Sequence, residues 1–326
     1  MNGPGLDWEA LERLRSRFLE GTAGQEDYWR SETDLASYDA TFAQRIGWKW
    51  DYVLAELARR GWSPPPGAVL DWGCGSGIAH RAFLDHFEPG AGTALLLLDR
   101  SELAVAYARR RAQERFPHVT IRPLAENEPI GSLLLSHVLS ELNEAQTEDL
   151  LSRLPQATAV LWVEPGTHAI SRQLSRLRDR LLGRFQVIAP CTHHEVCGML
   201  RPGNESHWCH HFASPPPAVF SDRYWARFAS LAGIDLRSLP LSFLVMDQRP
   251  MRSLPTDAVR IIGSPRIYKG YALLFGCEAG GVRDRRLSKK NAPEMFRRLK
   301  KGQCDPVQLW VCEEDEINQV GPLPRV

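Results

Sequence analysis

Cysteine and histidine residues are concentrated in one stretch, at a spacing that suits metal binding. Cys191, Cys197 and Cys209 follow a C-x5-C-x11-C pattern, and Cys191–His211 also contains five of the ten histidines. Thiolates in such a pattern bind zinc or iron–sulfur clusters. The stretch is rich in glycine, proline and polar residues, unlike an apolar core face. We therefore predict a metal site there, with the bound metal ordering a loop that buries little apolar surface.

A fourth ligand would complete this site, and the residues alone leave its identity open. Cys277 is the best candidate, because it ends the strand-like run Tyr271–Gly276, which we expect to be the last strand of the main sheet. Cys304 and Cys312, in the C-terminal tail, are runners-up. Composition alone does not separate a Cys3His zinc site from a four-cysteine cluster.

A second group of residues has the pattern of a cofactor site. The apolar run Val69-Leu70 leads into Asp71, and Gly73, Gly75 and Gly77 follow before a helical stretch. Asp99 closes the next apolar run, where its carboxylate can accept hydrogen bonds from two ribose hydroxyls. A glycine loop between strand and helix, with an acidic residue ending the next strand, is typical of nucleotide-like cofactors.

The glycine loop resembles the first motif of class I S-adenosylmethionine-dependent methyltransferases more than a dinucleotide-binding fingerprint. The resemblance implies that Asp71 faces the methionine amino group and that Gly73 and Gly75 line it. It also implies that Gly77 belongs to the cofactor loop and that Asp99 holds the ribose.

The sequence names no catalytic residue. The fourth predicted strand ends in Ser136–Glu141, without the Asn/Asp-Pro-Pro-aromatic box that holds an exocyclic amine. His137 and Glu141 are candidate general bases, although polar residues at a strand end are equally often structural. Methyl transfer from a sulfonium depends mainly on positioning, so turnover stays open.

The elements that must position these residues divide the chain into three predicted parts. Residues 1–66 have helical spacing and end in a proline-rich linker. In residues 67–282 short apolar runs alternate with amphipathic stretches, which predicts an α/β, Rossmann-like class I methyltransferase sheet. A cysteine-rich insertion is placed at about residues 185–215. Residues 283–326 are read as a basic segment and an acidic tail.

Overall composition is that of a globular protein. The 326 residues are 43% hydrophobic and 24% charged, and the formal net charge is +1. The longest purely apolar runs are far shorter than the roughly 20 residues that span a bilayer. Met1–Glu20 has neither the apolar core of a signal peptide nor the composition of a transit peptide. We expect a protein without membrane contact that stays in the compartment where it is made.

Positive charge is unevenly distributed. Arg283–Lys301 carries nine Lys and Arg residues against Asp284 and Glu294. Such local excess indicates a polyanionic partner, most often nucleic acid. A helical stretch also repeats Arg172, Arg176 and Arg180 every four residues, but by itself this pattern favours a solvated helix face, with an RNA contact as the alternative.

A series of motifs resembles the methyltransferase-like small-subunit assembly proteins of mitochondrial ribosomes and their bacterial relatives. In order along the chain they are Leu161–Thr167, Ser171-Arg172, Ala189–Cys197, Trp208–His210, Arg260–Cys277 and Ser288-Lys289. The resemblance implies a class I methyltransferase fold and binding to the small ribosomal subunit and its rRNA. It also implies a four-iron four-sulfur cluster held by Cys191, Cys197, Cys209 and Cys277.

Two functions from different classes follow from this resemblance. In the first, the protein is a monomeric assembly or translation factor that binds rRNA, with a methyltransferase fold as scaffold and S-adenosylmethionine as a bound cofactor. In the second, it is an active rRNA methyltransferase. A zinc-dependent methyltransferase acting on a small molecule fits the basic 283–301 segment less well.

Overall fold

The structure is a computed structural model that describes residues 5–20, 27–88, 93–125 and 128–323. The described residues form two compact units that are interleaved along the chain. The first comprises the described parts of Met1–Ala58, Ser63–Glu164 and Ala213–Leu239. The second comprises those of Arg59–Trp62, Pro165–Phe212 and Pro240–Val326.

The helices and strands of the first unit follow the predicted alternation. They are α1 (Trp8–Glu20), α2 (Glu32–Tyr38), α3 (Gln44–Arg59), β1 (Ala68–Trp72), α4 (Ile78–His86), β2 (Ala94–Leu98), α5 (Glu102–Arg115), β3 (Thr120–Arg122), β4 (Ile130–Ser136), α6 (Glu144–Arg153), β5 (Ala157–Pro165) and, after elements of the second unit, α8 (Arg223–Ala232). A π-helical turn, Asp39–Ala43, joins α2 to α3.

The strands of this unit form a parallel sheet in the order β3-β2-β1-β4-β5. Apart from the edge strand β3, each strand is a short, mainly apolar run, and Leu95 of β2, Leu134 of β4 and Val160 of β5 are fully buried. Runs of this kind form parallel strands because helices cover both faces of the sheet. The order places the carboxyl ends of β1, β2 and β4 side by side, where doubly wound sheets bind ligands.

The N-terminal helices pack onto this sheet unit. Leu14 of α1, Leu35 of α2 and Ala104 of α5 are fully buried in one apolar cluster, together with Trp29 and Tyr107. The Ser31 hydroxyl caps α2 by accepting a hydrogen bond from the Asp34 N–H at 3.1 Å. The predicted helical region therefore belongs to the same compact unit as the sheet, although residues 1–4 and 21–26 lie outside the described residues.

The second unit contains one helix and three strands before its C-terminal part. These are α7 (His168–Leu181), β6 (Gln186–Ala189), β7 (His211–Ala213) and β8 (Leu239–Asp247). β6 and β7 both pair with β8, and the β6–β8 pair is antiparallel. The stretch between β6 and β7, which contains Cys191, Cys197 and Cys209, is called the cysteine loop below.

The C-terminal part is a closed five-stranded barrel. Its elements are β9 (Ala258–Ile267), β10 (Tyr271–Glu278), β11 (Gly281–Ser288), α9 (Pro293–Lys300), β12 (Val307–Glu313) and β13 (Glu316–Pro322). The strand order is β10-β11-β13-β12-β9, with β11 and β13 parallel and the other paired strands antiparallel. A meander of three strands, a helix and two closing strands in this order is the topology of the OB-fold.

Two expectations differ from this architecture. Cys277 lies on β10 of the barrel, so its expected position on the last strand of the main sheet is wrong. The segment 283–326, read as a basic segment and a tail, supplies strands and a helix of the barrel over its described residues. Its inward side chains are buried, including Leu287, Phe296 and Trp310. The closure joins strands far apart in sequence, which local patterns do not reveal.

Within the described residues, we find no helix with both the length and the apolarity that a bilayer crossing requires.

Candidate functional site

The glycine loop connects β1 with α4 at the carboxyl edge of the parallel sheet. The Leu98 carbonyl, at the end of β2, accepts hydrogen bonds from the Gly73 N–H at 2.8 Å and the Cys74 N–H at 3.1 Å. Gly73, Gly75 and Gly77 have φ values of 72°, 49° and 83°. These left-handed conformations are costly for residues with a Cβ, which explains three glycines in five positions.

Gly75 is the loop position that faces open space. A Cβ placed on Gly75 would meet no atom within 4 Å, whereas one on Gly73 would lie 2.8 Å from the Val138 side chain. Gly73 is therefore needed for packing against the end of β4. Gly77 packs against the His80 ring in the same way. The unfilled surface at Gly75 is where a ligand can approach the backbone.

Asp99 is coupled directly to this loop. Its Oδ2 accepts a hydrogen bond from the Gly75 N–H at 2.9 Å, and its Oδ1 accepts one from the Ser101 N–H at 2.9 Å. Burial raises the pKa of the Asp99 carboxyl, and the two N–H donors oppose that rise. Each carboxylate oxygen keeps a lone pair for a further donor, such as a ribose hydroxyl.

Asp71 lies beneath the loop. Its side chain is fully buried, and its Oδ2 is 2.7 Å from the Nδ1 of His80, which is also fully buried. The Asp71 Oδ1 has no hydrogen-bond partner among the described residues. The predicted contact of Asp71 with a methionine amino group stays a prediction, and the geometry shows a support for the start of α4.

The end of β4 is held by a buried glutamate from the next strand. Glu164 Oε1 accepts hydrogen bonds from the N–H groups of Val138 at 3.0 Å and Leu139 at 3.1 Å, and from the Trp162 indole at 2.8 Å. Burial raises the pKa of Glu164 to about 7. Glu164 thus fixes the turn that follows His137, a residue with a left-handed φ of 58°.

Lys49 is an unpredicted partner of His137. Its Nζ lies 3.4 Å from the His137 Nε2, and the Lys49 side chain is buried in α3. Burial lowers the pKa of Lys49 to about 7. The pKa of His137 is lowered well below its usual value by burial and by the charge of the nearby Lys49. An amine with a pKa near neutrality, next to a neutral imidazole, is able to exchange protons at physiological pH.

Glu141, the other candidate general base, has two neighbours. The Tyr28 hydroxyl donates to its Oε1 at 3.2 Å, and an Arg100 nitrogen lies 3.4 Å from its Oε2. The Arg100 guanidinium lies 5.2 Å from the Tyr28 ring centroid. Burial raises the pKa of Glu141 to about 7. Burial raises the pKa of Tyr28, and the charges of Glu141 and, more weakly, Asp99 raise it further. Tyr28 and Glu141 therefore lie near the predicted ribose carboxylate.

The second unit brings the four predicted cysteine ligands into one neighbourhood. Cys197 and Cys277 are buried in one small cluster, with Cys209 packed against it. Cys191, Cys197 and Cys209 also line one cavity. The pKa of the Cys209 thiol is raised by burial and then by the other three thiols. The topology thus joins Cys277 of the barrel to the three cysteines of the loop.

Helix α7 holds the cysteine loop through polar contacts. Arg178, buried on α7, donates to the carbonyl oxygens of Glu195 at 2.6 Å and His193 at 3.0 Å. Arg172 donates to three further loop carbonyls, those of Met199, Asn204 and His207. Arg172 thus holds the cysteine loop, where the sequence predicted a solvated helix face or an RNA contact. These contacts order a loop that buries little apolar surface.

Arginines from other segments complete the surroundings of the thiols. Arg60 donates to the carbonyl oxygens of Pro190 at 3.0 Å and Cys191 at 2.9 Å. Arg260, on β9, donates to the Pro190 carbonyl at 3.2 Å and lies 3.3 Å from the His211 Nδ1. Burial and then the neighbouring thiols raise the pKa of the Cys277 thiol, and the charges of Arg178 and Arg260 oppose this rise. Positive charge of this kind favours an anionic group at the thiols.

Two histidines of the loop contact the thiols directly. The His193 Nε2 lies 3.7 Å from the Cys277 Sγ, and the His211 Nε2 lies 3.6 Å from the Cys209 Sγ. Burial lowers the pKa of His193 to about 4 and that of His211 well below its usual value. Both rings are therefore neutral at physiological pH.

The side chains are not arranged around a single metal ion. Over residues 5–20, 27–88, 93–125 and 128–323, no group of three or more His, Cys, Asp or Glu side chains is placed to hold one.

The predicted basic segment is partly neutralised within the barrel. Arg285 is buried and pairs with Glu278 at 2.6 Å, and Arg286 pairs with Glu316 at 2.8 Å. Arg298 pairs with Asp305 at 2.9 Å. Acidic residues of the former tail thus balance several of these arginines. The exposed lysines at positions 289, 290 and 301 form no ion pair within the part of the chain that the structure describes.

Sequence reasoning missed several of these side chains. Lys49 and Tyr28 lie in the N-terminal helical region, far along the chain from the glycine loop. Arg178 interrupts the apolar face of α7, directly after Leu177, and an arginine in that position was a detectable signal. No local pattern marked the first two.

Comparison with known families places the chain among ribosomal proteins. Residues 40–305 match the family described as mitochondrial small ribosomal subunit Rsm22. No curated protein matches the chain.

Solved methyltransferase structures also resemble this one at low sequence identity. The N-methyltransferase NodS from Bradyrhizobium japonicum, in complex with S-adenosyl-L-homocysteine, is 10% identical, with a TM-score of 0.40 over 73% of this chain and 100% of that chain. Magnesium protoporphyrin IX methyltransferase from Synechocystis, with bound SAM, is 14% identical, with a TM-score of 0.39 over 76% and 100%. The strand order of the first unit confirms the predicted class I methyltransferase-like α/β fold, and the structure contains both parallel and antiparallel strand pairs.

Proposed function

Because the chain belongs to the Rsm22 family of mitochondrial small ribosomal subunit proteins, we propose that it is a small-subunit assembly or translation factor that binds rRNA. The observation that carries this proposal is the family match, which spans residues 40–305. The protein would then act where small subunits mature: in the cytoplasm of a bacterium or in the mitochondrial matrix of a eukaryote. It works there as a monomer and without membrane contact.

Lysines of the barrel support binding to rRNA phosphates. Lys289, Lys290 and Lys301 are exposed and have no carboxylate partner among the described residues, so they are available to a phosphate backbone. Each phosphate neutralised by such a side chain releases counterions, which makes affinity fall steeply with salt. Arg285 is excluded from this surface, because its guanidinium is buried against Glu278.

The test is co-sedimentation with purified small ribosomal subunits over a series of salt concentrations. Changing Lys289, Lys290 and Lys301 to Gln should weaken binding and reduce the salt slope by about 2 to 3. The matched control changes three exposed arginines of the first unit to Gln: Arg110, Arg115 and Arg153. Failure of the wild-type protein to co-sediment would refute the proposal.

We also propose S-adenosylmethionine as the ligand of the glycine loop. Three features support it: the open surface at Gly75, the Asp99 carboxylate bonded to that loop, and the unpartnered buried oxygen of Asp71. Gly73 and Gly77 shape the loop rather than line the open surface. When bound, the cofactor supplies a methyl group on a positively charged sulfur. Asp99 would hold its ribose, and the Tyr28–Glu141 pair would close the neighbouring side.

We further propose that Cys191, Cys197, Cys209 and Cys277 hold a four-iron four-sulfur cluster. The cysteine loop and β10 bring the four cysteines into one neighbourhood, and four thiolates are the usual ligand set of such a cluster. The arginines around them suit the net negative charge of a cluster with four thiolates. When bound, the cluster supplies iron–sulfur bonds that tie the cysteine loop to β10. The neutral His193 and His211 rings would then lie beside the cysteine sulfurs without binding iron.

Protein purified without oxygen tests the cluster directly. Four iron and four labile sulfide per chain, with a broad brown absorbance, are expected. Stoichiometric zinc without labile sulfide would instead establish the alternative, a Cys/His zinc site.

Catalytic methyl transfer to rRNA is the second candidate function. Burial brings the pKa values of Lys49, Glu141 and Glu164 to about 7, and these groups surround the ends of β4 and β5. Perturbed groups of this kind are concentrated at active sites. Transfer of a labelled methyl group to small-subunit rRNA by the wild-type protein, reduced in the Asp99→Ala variant at a cofactor concentration below its dissociation constant, would establish this activity.

A further inference from the structure

The barrel carries an aromatic and basic surface that the rRNA proposal does not explain. At the β9–β10 hairpin, the rings of Tyr268 and Tyr271 are stacked, with centroids 4.6 Å apart and planes at 17°. The Tyr268 side chain is 45% exposed, and neither ring belongs to the barrel core. A hairpin could be closed by smaller side chains, so an exposed ring stacked on a half-buried one suggests a ligand.

Basic side chains surround this pair of rings. The Arg286 guanidinium, on β11, lies 4.8 Å from the centroid of Tyr271 and is paired with Glu316, so it supports the ring and leaves the phosphates to the lysines. Lys269 lies in the hairpin itself and is exposed. The Lys289 N–H donates to the Gly270 carbonyl at 2.9 Å, which brings the exposed Lys289 next to the hairpin. Rings and positive charge thus occupy one continuous surface, which we call the tyrosine face.

The register of the strands shows which side of the barrel this is. Ala272 and Leu274 point into the core, so Tyr271 and Leu273 lie on the outer side of β10. Leu273 pairs with Arg286 of β11, and both lie on that outer side. In OB-folds, the outer side of the second and third strands and the loop between the first two strands bind oligonucleotides. The tyrosine face occupies that location.

We infer that the tyrosine face binds unpaired bases of single-stranded RNA, which stack on the exposed Tyr268 ring of the Tyr268–Tyr271 pair. The inference rests on the proposed function, since RNA is the assumed partner, and it adds which form of RNA is recognised and where. Stacking is sequence-tolerant because every base has a flat aromatic face, and the neighbouring cations hold the phosphates. Double-stranded RNA offers no free base faces to such rings.

The test compares two strands that carry the same charge. Anisotropy measures binding of the full-length, cluster-loaded protein to a fluorescent oligouridylate of about 12 nucleotides, a length that one OB-fold covers. An abasic strand of equal length supplies the phosphates without bases. The wild-type protein should prefer the base-bearing strand by about tenfold or more. A wild-type protein without this preference would overturn the inference.

Variants identify the residues that cause the preference for the base-bearing strand. Tyr268→Ala/Tyr271→Ala should lose it and still bind the abasic strand as the wild type does. Tyr268→Phe/Tyr271→Phe should retain it, because stacking needs the ring and not the hydroxyl. Phe220→Ala removes a ring that is 54% exposed in the first unit and should change nothing. If the double alanine variant does not fold, Tyr268→Ala alone is measured, since Tyr268 lies outside the core.

The outcome is separable from that of the proposed function. Small-subunit co-sedimentation is measured on the same variants. If the wild type binds subunits but the alanine variant keeps its preference for bases, only the inference fails. If neither the wild type nor any variant binds subunits, but the preference for the base-bearing strand is present and depends on the tyrosines, the inference holds and the proposed ribosomal partner is wrong.

Discussion

Asp179 on α7 accepts hydrogen bonds from the backbone N–H of Cys197 through both carboxylate oxygens, at 3.1 and 3.0 Å. The neighbouring residue, Arg178, donates to the Asp179 Oδ1 at 2.6 Å and to two loop carbonyls. A predicted cluster ligand is therefore positioned by a helix through polar contacts, independently of any metal. This arrangement makes α7 part of the cysteine site.

The first prediction concerns this support. Arg178→Met should destabilise the second unit, because it leaves buried carbonyls without a donor at a cost of about 1–3 kcal/mol each. Arg176→Met is the matched control, since Arg176 is exposed on the same helix. Thermal unfolding of the two variants and their iron content provide the measurement. Equal unfolding temperatures would show that the loop does not depend on Arg178.

The second prediction concerns cofactor affinity. Asp99→Ala should weaken binding of S-adenosylhomocysteine by about tenfold or more, because it removes acceptors for two hydroxyls at on the order of 1 kcal/mol each. Asp85→Ala, on the exposed side of α4, is the control. Calorimetry on both variants decides it, and unchanged affinity in the Asp99 variant would place the cofactor elsewhere.

The third prediction separates the cysteines. Cys277→Ser should abolish the brown absorbance and labile sulfide, since one of four thiolates is lost. Cys312→Ser and Cys304→Ser should keep both, because these thiols pack against the barrel core, away from the other four. Iron and sulfide analysis checks each variant. A cluster retained without Cys277 would mean that another residue supplies the fourth ligand.

The fourth prediction is a pH dependence of stability. Burial lowers the pKa of Lys49 from 10.5 to about 7. Between these values the unfolded chain carries a proton that the folded chain lacks, so stability rises with pH in this window. Lys49→Met should therefore stabilise the protein at pH 7 and below by about 2–4 kcal/mol, and the gain should disappear above pH 10.5.

Urea unfolding of the wild type and Lys49→Met over this pH range measures the difference, in which other titrating groups cancel. Lys301→Met replaces an exposed lysine and should have no effect at any pH. A stability difference that is constant with pH would show that Lys49 stays charged in the folded protein.

Sequence patterns alone determined the features that arise from local spacing. The alternation of apolar runs with amphipathic stretches predicted the parallel sheet, because β1, β2, β4 and β5 are mainly runs of buried residues. Three glycines after Asp71 predicted the turn between β1 and α4, because a left-handed backbone favours glycine. The ordered motifs also predicted the ribosomal family, which the match over residues 40–305 confirms.

Only the tertiary structure decided which distant segments meet. The barrel is closed by β9 pairing with β12 and β11 with β13, and such long-range pairs leave no periodic signal in the strands themselves. Because of this closure, Cys277 lies on a barrel strand and not on the main sheet, and Arg285 is buried against Glu278. Charge counting treats every arginine as free, whereas folding pairs some of them with carboxylates and carbonyls. For that reason the stacked tyrosines, and not the charge excess alone, mark the surface that we assign to RNA.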